Sequence, residues 1–323
     1  VLAYIRAVPQ FEVEEQEFSF GALTLRRFTA AEASAFSQFL QRRDVFARHA
    51  KDRDYYARRS LEFADEVVLV AGSGQCHRDI DSLGKEVDAA EALLVLSTTF
   101  ALSRKELHRF TTSHAFRRSV IDLYYNGYTG KPRTQKQPGQ PSRPLPITER
   151  VARRYGRLGF GAVQARATDG DLVGTRLRLA CRWLLSSRLD PDVGSAFIKT
   201  GTAAESLIAD GSKYDVTEKL SDRVARLVGG TPTQIAEIKE TLKSLYDVRC
   251  DFAHGRHSGP ATEEHAKQIE LFDRLVTLAL STFSTHCASC SAPGEVGSWF
   301  KNTAFPLSVP YSSAFLQRAL ALA

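Results

Sequence analysis

Between residues 171 and 285 apolar side chains recur at helical spacing in five successive segments, and the breaks between them hold residues that start and stop helices. Such stripes at a 3.6-residue period find burial against other helices. From Asp171 to Arg188 the stripe is Leu172, Leu177, Ala180, Leu184 and Leu185; from Ser195 to Ala209 it is Phe197, Ala204, Leu207 and Ile208. Asp215 with Glu218 three places on predicts a capping box for the third helix, whose face is Leu220, Val224, Leu227 and Val228 and whose stop is Gly229 and Gly230. Thr231 and Pro232 open the fourth in the favoured cap and first-turn order, Ile235, Ile238, Leu242, Leu245 and Phe252 line it, and Gly255 ends it. The fifth, from about Thr262 to Thr285, presents Ile269, Phe272, Leu275, Val276, Leu278 and Phe283. The expectation is an all-helical bundle.

The amino-terminal part follows another pattern. Val1 to Val8 and Phe18 to Phe28 are rich in strand-compatible residues broken by turn formers, which predicts a small antiparallel sheet, and the run Glu66 to Ala71 reads as a further strand entering a turn. Thr29 with Glu32 predicts a capped amphipathic helix through Phe36, Phe39 and Leu40, and a second helix is expected over Leu83 to Leu102. The fold class expected is therefore α+β: a mixed, β-rich domain over residues 1–129, a basic Pro- and Gly-rich linker over 130–154, a helical bundle over 155–290 and a carboxy-terminal extension over 291–323.

The formal charge of +6 is compatible with a polyanionic partner. Seven Lys or Arg residues against one acid, Glu149, fall between Gly130 and Arg154. That stretch reads as a solvated linker, and Lys131, Arg133 and Lys136 with Arg256 are the residues expected to meet phosphates if RNA binds. No apolar run reaches the roughly 18 residues that span a bilayer, so no membrane partner is expected. The first twenty residues lack the pattern of a secretory signal, and five irregularly spaced cysteines look like reduced thiols, so a cytoplasmic location is expected. The chain contains no methionine.

Two motifs suggest cofactors on first inspection. The turn Ala71 to Asp79 lacks the Lys and Ser/Thr that end a phosphate-binding loop. His286, Cys287 and Cys290 could supply part of a zinc site with Cys76 and His77, but no second Cys pair completes it. The cysteines are expected to be free and no cofactor is expected.

The segment LYDVRCDFAHG, Leu245 to Gly255, places Arg249 and His254 five residues apart on the fourth helix. In a regular helix that offset is a turn of about 140° and a rise of about 7.5 Å, so the two do not share a face, although a helix ending at Gly255 would free His254 to point across a cleft. This segment resembles the Tyr, Arg, His-Gly pattern of the HEPN superfamily, of the Apea-like kind. AAESLIA around Glu205 and LSDRVARLV around Arg223 resemble two further helices of that family, in the same order, across about 115 residues. The resemblance implies a HEPN-like bundle, a homodimer with paired Arg/His sites and metal-independent cleavage of RNA. The position after Arg249, often Asn, Asp or His in active members, is Cys250, and Asp251 follows.

The residue types suit that chemistry. RNA carries its own nucleophile in the 2′-hydroxyl, so the protein must accept a proton, stabilise the crowded phosphate and align the two. A histidine can titrate near neutral pH, which suits His254, and the fixed fork of Arg249 matches phosphate oxygens. Asp251, Tyr246, Glu205 and Arg223 are the expected supporting residues, with Glu205 the partner of Arg223 or Tyr246. The resemblance also implies an effector of prokaryotic antiviral defence or of a toxin system, with a partner protein of such a system. The alternatives are a non-catalytic dimerisation or RNA-binding module, and a toxin silenced by nucleotidyl transfer; the branch so silenced carries a Tyr two places after the His, where this chain has Arg256.

Overall fold

The computed structural model describes residues 2–7, 11–13, 17–20, 23–42, 61, 67–73, 80–102, 122–124, 145–212, 214–257, 259–287, 290–309 and 311–321. The chain divides into two compact units, residues 1–91 with 109–152, and residues 92–108 with 153–323.

The first unit is built on a five-stranded sheet in the order β3-β4-β5-β1-β6, from β1 (Leu2–Ala7), β3 (Glu17–Phe20), β4 (Leu23–Arg27), β5 (Val67–Ser73) and β6 (Asp122–Tyr124). Every neighbouring pair is antiparallel, as the strand-rich segments predict. In β3 Phe18 and Phe20 are buried while Glu17 and Ser19 are exposed, the two-residue alternation of a sheet with one covered face. Val67, Val68 and Leu69 are buried without alternation, so this part of β5, paired between β4 and β1, is covered on both faces of the sheet. Helix α1 (Ala30–Arg42) opens with the expected box: the Thr29 amide donates to Glu32 at 2.9 Å and the Glu32 amide donates to Thr29 Oγ1 at 3.2 Å.

The span read as linker holds structure. Leu145–Ile147 forms β7, paired in parallel with β2 (Phe11–Val13), and Glu149–Arg157 forms α3. Leu145 and Ile147 are buried, and this short apolar pair was hidden among the prolines around it. Residues 130–144 lie outside the described residues. Helix α2 (Ile80–Thr99) contributes its last turns, from Ala92, to the second unit, so the boundary is not one linker in sequence.

The second unit is helical: α4 (Phe160–Ala167), α5 (Leu172–Arg188), α6 (Val193–Ile208), α7 (Val216–Val228), α8 (Pro232–Ala253), α9 (Glu263–His286), α10 (Pro293–Asn302) and α11 (Ser313–Ala321). Asp171 and Asp192 cap α5 and α6 by accepting the amides of Gly174 and Ser195. The capping box expected at Asp215 does not form. Asp215 has φ +55 and no cap bond, and Glu218 instead meets Lys239 and Lys243 of α8.

Helix α9 is the axis of this unit, with every residue from Phe272 to Ser284 buried. Only a helix surrounded by neighbours buries its polar positions too. The terminal segment is no appendage. The Tyr311 hydroxyl donates to the Val228 carbonyl at 2.9 Å, Phe315 stacks on Phe100 at 5.8 Å, and the Arg223 guanidinium lies 5.3 Å over the Phe300 ring. No helix among the described residues is long and apolar enough to cross a membrane.

Candidate active site

Helix α8 is fixed at both ends. Thr231 and Gln234 exchange the two bonds of a capping box, and Pro232 takes the first-turn position where its missing N–H costs nothing. At the other end His254 is the cap, Gly255 adopts φ +64, the Gly255 amide donates to Phe252 O at 3.3 Å and the Arg256 amide donates to Asp251 O at 2.9 Å. These two bonds make a Schellman motif, and its left-handed position is one that glycine takes at little cost. The sequence stop at Gly255 therefore has a geometric reason. It turns the chain at His254, which is exposed, with no hydrogen-bond partner for its side chain among the described residues.

Arg249 lies one and a half turns earlier and faces α6. Its Nη2 is 3.0 Å from Glu205 Oε1, and its guanidinium carbon is 5.1 Å from the centre of the Tyr246 ring. The Tyr246 hydroxyl donates to the same Glu205 oxygen. Burial, and then the bond to Glu205, push the Tyr246 phenol above its ordinary value, so it stays a donor. Gly201 makes the approach feasible: a Cβ there would sit 2.9 Å from Arg249 Nε and 3.0 Å from its Cγ. About two turns earlier on α6, a Cβ on Gly194 would sit 2.8 Å from the Phe252 ring. The pairs 194 with 252, 201 with 249 and 205 with 246 run in opposite senses along the two helices, which describes an antiparallel seam opened by glycine.

The side chain of Arg249 is 17% exposed and that of Glu205 32%, so the ion pair reaches solvent at one edge. Arg249 Nε is buried without a hydrogen-bond partner among the described residues. No hydrogen bond or ion pair joins Arg249 to His254 among them. Beside Glu205, a cavity of about 30 Å³ lined by Ile208, Val216, Leu220 and Arg223 has room for water and not for a ring.

Of the supporting residues, Tyr246 and Glu205 come together with Arg249. Arg223 does not join them: its Nη2 pairs with Asp210 at 2.6 Å and its Nη1 donates to the Ile208 carbonyl at 2.9 Å. The reason is the end of α6, whose unpaired carbonyls need donors. Asp251 is exposed and lies 3.6 Å from Arg256. Lys131, Arg133 and Lys136 fall outside the described residues, as do Cys76 and His77. Cys287 and Cys290 are buried with their sulfurs 3.9 Å apart, and burial pushes the Cys287 thiol up. His286 Nε2 is 2.6 Å from the Ser308 carbonyl.

Sequence reasoning missed Gly201, Asp210 and the histidines after the turn, His257 and His265. A glycine inside a helix costs about 1 kcal/mol, so Gly201 in the interior of α6 carried a readable signal of close approach. Comparison of the chain with protein-family models, curated proteins and solved structures finds no match.

Proposed function

We propose that the helical unit is a metal-independent endoribonuclease of the HEPN type. The observation that carries this reading is the end of α8, where an arginine is held by Glu205 and Tyr246 on one side and an unengaged histidine stands on the closing turn. In this reading His254 takes the 2′-hydroxyl proton and Arg249 turns its fork from Glu205 toward the phosphate, where its charge meets the developing negative charge. The substrate supplies the nucleophile. No step requires a metal or cofactor from the protein.

The proposal includes a homodimer through the helical unit, since a two-fold axis would double a small catalytic set. RNA, a cytoplasmic setting and a partner protein in prokaryotic defence or a toxin system belong to the same proposal. Labelled RNA incubated in chelator should be cut to products ending in a 2′,3′-cyclic phosphate or its 3′-phosphate, and DNA should be spared. His254→Ala should slow cleavage by about 10² to 10⁴. Intact RNA, or DNA cut at a similar rate, would remove the reading.

The Arg249–Glu205 pair favours a second reading, a non-catalytic RNA-binding or dimerisation module, because Glu205 offsets the charge that phosphate would meet. RNA bound but never cut, with His254→Ala unchanged in affinity, is its signature.

A further inference from the structure

Attack by the 2′-hydroxyl needs two proton carriers. A base removes the 2′-hydroxyl proton as that oxygen bonds to phosphorus, and an acid protonates the 5′-oxygen as its bond to phosphorus breaks. On the endoribonuclease reading, His254 is the first. The helix face around Arg249 offers no second. The Tyr246 hydroxyl is spent on Glu205 and held above its ordinary ionisation, Glu205 accepts from both Tyr246 and Arg249, and a guanidinium keeps its proton.

We propose that His257 is the second carrier and protonates the leaving 5′-oxygen. Its amide lies 3.4 Å from the Asp251 carbonyl, in line with the bonds that close α8, so it stands on the same turn as His254. Three residues of chain separate the two Cα atoms by at most roughly 10 Å, which lets two imidazoles approach one phosphodiester. The His257 ring is set by its neighbours: 4.5 Å from the Phe252 ring, 4.8 Å from His265 edge-on, and with Nε2 3.5 Å from the Pro260 carbonyl. With the Nε2 proton turned to that carbonyl, Nδ1 is the nitrogen left for the substrate. The acid is the imidazolium form, whose Nδ1 proton passes to the 5′-oxygen and leaves a neutral ring. His265 is committed elsewhere, because its Nδ1 accepts the Thr262 amide at 3.1 Å in the capping box of α9. The substrate class is a single-stranded phosphodiester with a free 2′-hydroxyl, since a phosphate must fit between two groups on one turn.

This assignment rests on the endoribonuclease reading, and a leaving group that needs no acid separates the two. The full chain, His254→Ala and His257→Ala are assayed on an RNA oligonucleotide and on the same RNA with sulfur replacing the 5′-bridging oxygen at one site. His257→Ala should be slower by about 10² to 10⁴ on ordinary RNA and close to the unsubstituted protein on the sulfur substrate. His254→Ala should stay slow on both. If the unsubstituted protein cuts RNA and His257→Ala cuts it equally well, the assignment is overturned while the ribonuclease reading stands. If His257→Ala is equally impaired on both substrates, His257 has a structural role and the assignment is overturned. An unsubstituted protein inactive on both overturns the two together.

Discussion

At the carboxyl end of α2, Arg188 donates to the Thr99 carbonyl at 2.8 Å and Arg274 to the Phe100 carbonyl at 3.3 Å, with Asp273 3.6 Å from Arg188 and all three charges at most 3% exposed. On the α6–α8 face Arg249 meets a carboxylate at 3.0 Å, touches no carbonyl by hydrogen bond among the described residues and keeps an edge in solvent. The same side chain does different work in the two places. Arg154, Arg176 and Arg223 behave like the first pair, donating to carbonyls at the ends of α2 and α6. Helix ends leave carbonyls without partners, and a buried end needs donors from elsewhere in the fold. These five arginines are thus structural, and a net charge of +6 says less about an anionic ligand than it first suggests.

If the α2 end is structural and the α8 face is not, removing Asp273 should cost far more stability than removing Arg249. Asp273→Ala leaves Arg188 buried without its counter-charge and takes the acceptor from Ser187 and Thr200, so a loss of about 3–5 kcal/mol is expected in denaturant unfolding. Arg249→Ala should lower stability by no more than about 1 kcal/mol, and equal losses would erase the contrast.

A smaller effect tests the seam. Gly201→Ala should destabilise by about 1–3 kcal/mol through the clash with Arg249, and should displace that guanidinium. Unfolding midpoints that match the unsubstituted protein would show that Arg249 is not held by this approach. Tyr246→Phe should cost about 1.5 kcal/mol, since it removes a donor to a carboxylate in a half-buried place. It should also raise the mobility of Arg249, measured by side-chain relaxation of labelled arginine.

The smallest effect is on the capping side. The hydrogen bond from Arg223 holds the Asp210 carboxyl below its usual value. A group lowered on folding contributes stability above its unfolded pKa of about 3.9 and loses it as pH falls toward the folded value. Unfolding followed below pH 4 should therefore be less steep in Asp210→Asn than in the unsubstituted protein, and an identical acid profile would count against the pair.

Much of the helical unit was legible because its signals are local. Asp171, Thr231 with Pro232, Thr262 and Gly255 each act on neighbours within four residues, and each sits at the helix end the spacing predicts. Asp215 failed because its partner Glu218 finds two lysines across the α7–α8 contact, and an exposed cap bond of about 1 kcal/mol is easily replaced. The strand pair β2–β7 was illegible for a related reason: Phe11 and Leu145 meet from far apart in the chain, and three-residue strands carry too little pattern.

The sequence by itself determined α1, α2 and the five helices α5 to α9, the end of α8 at Gly255, and the nomination of Arg249, His254, Tyr246 and Glu205, while α3, α4, α10 and α11 went unread. Tertiary structure decided which of them meet. Glu205 joined Tyr246 and Arg249 because α6 and α8 pack antiparallel across Gly201, while Arg223 turned to the carbonyl and carboxylate at the end of α6. It also decided that α9 is buried all round, polar residues included. Local patterns encode where a helix begins, ends and turns its apolar face, but long side chains choose partners by what packing brings within about 3 Å, and that distance is set by residues tens of positions away.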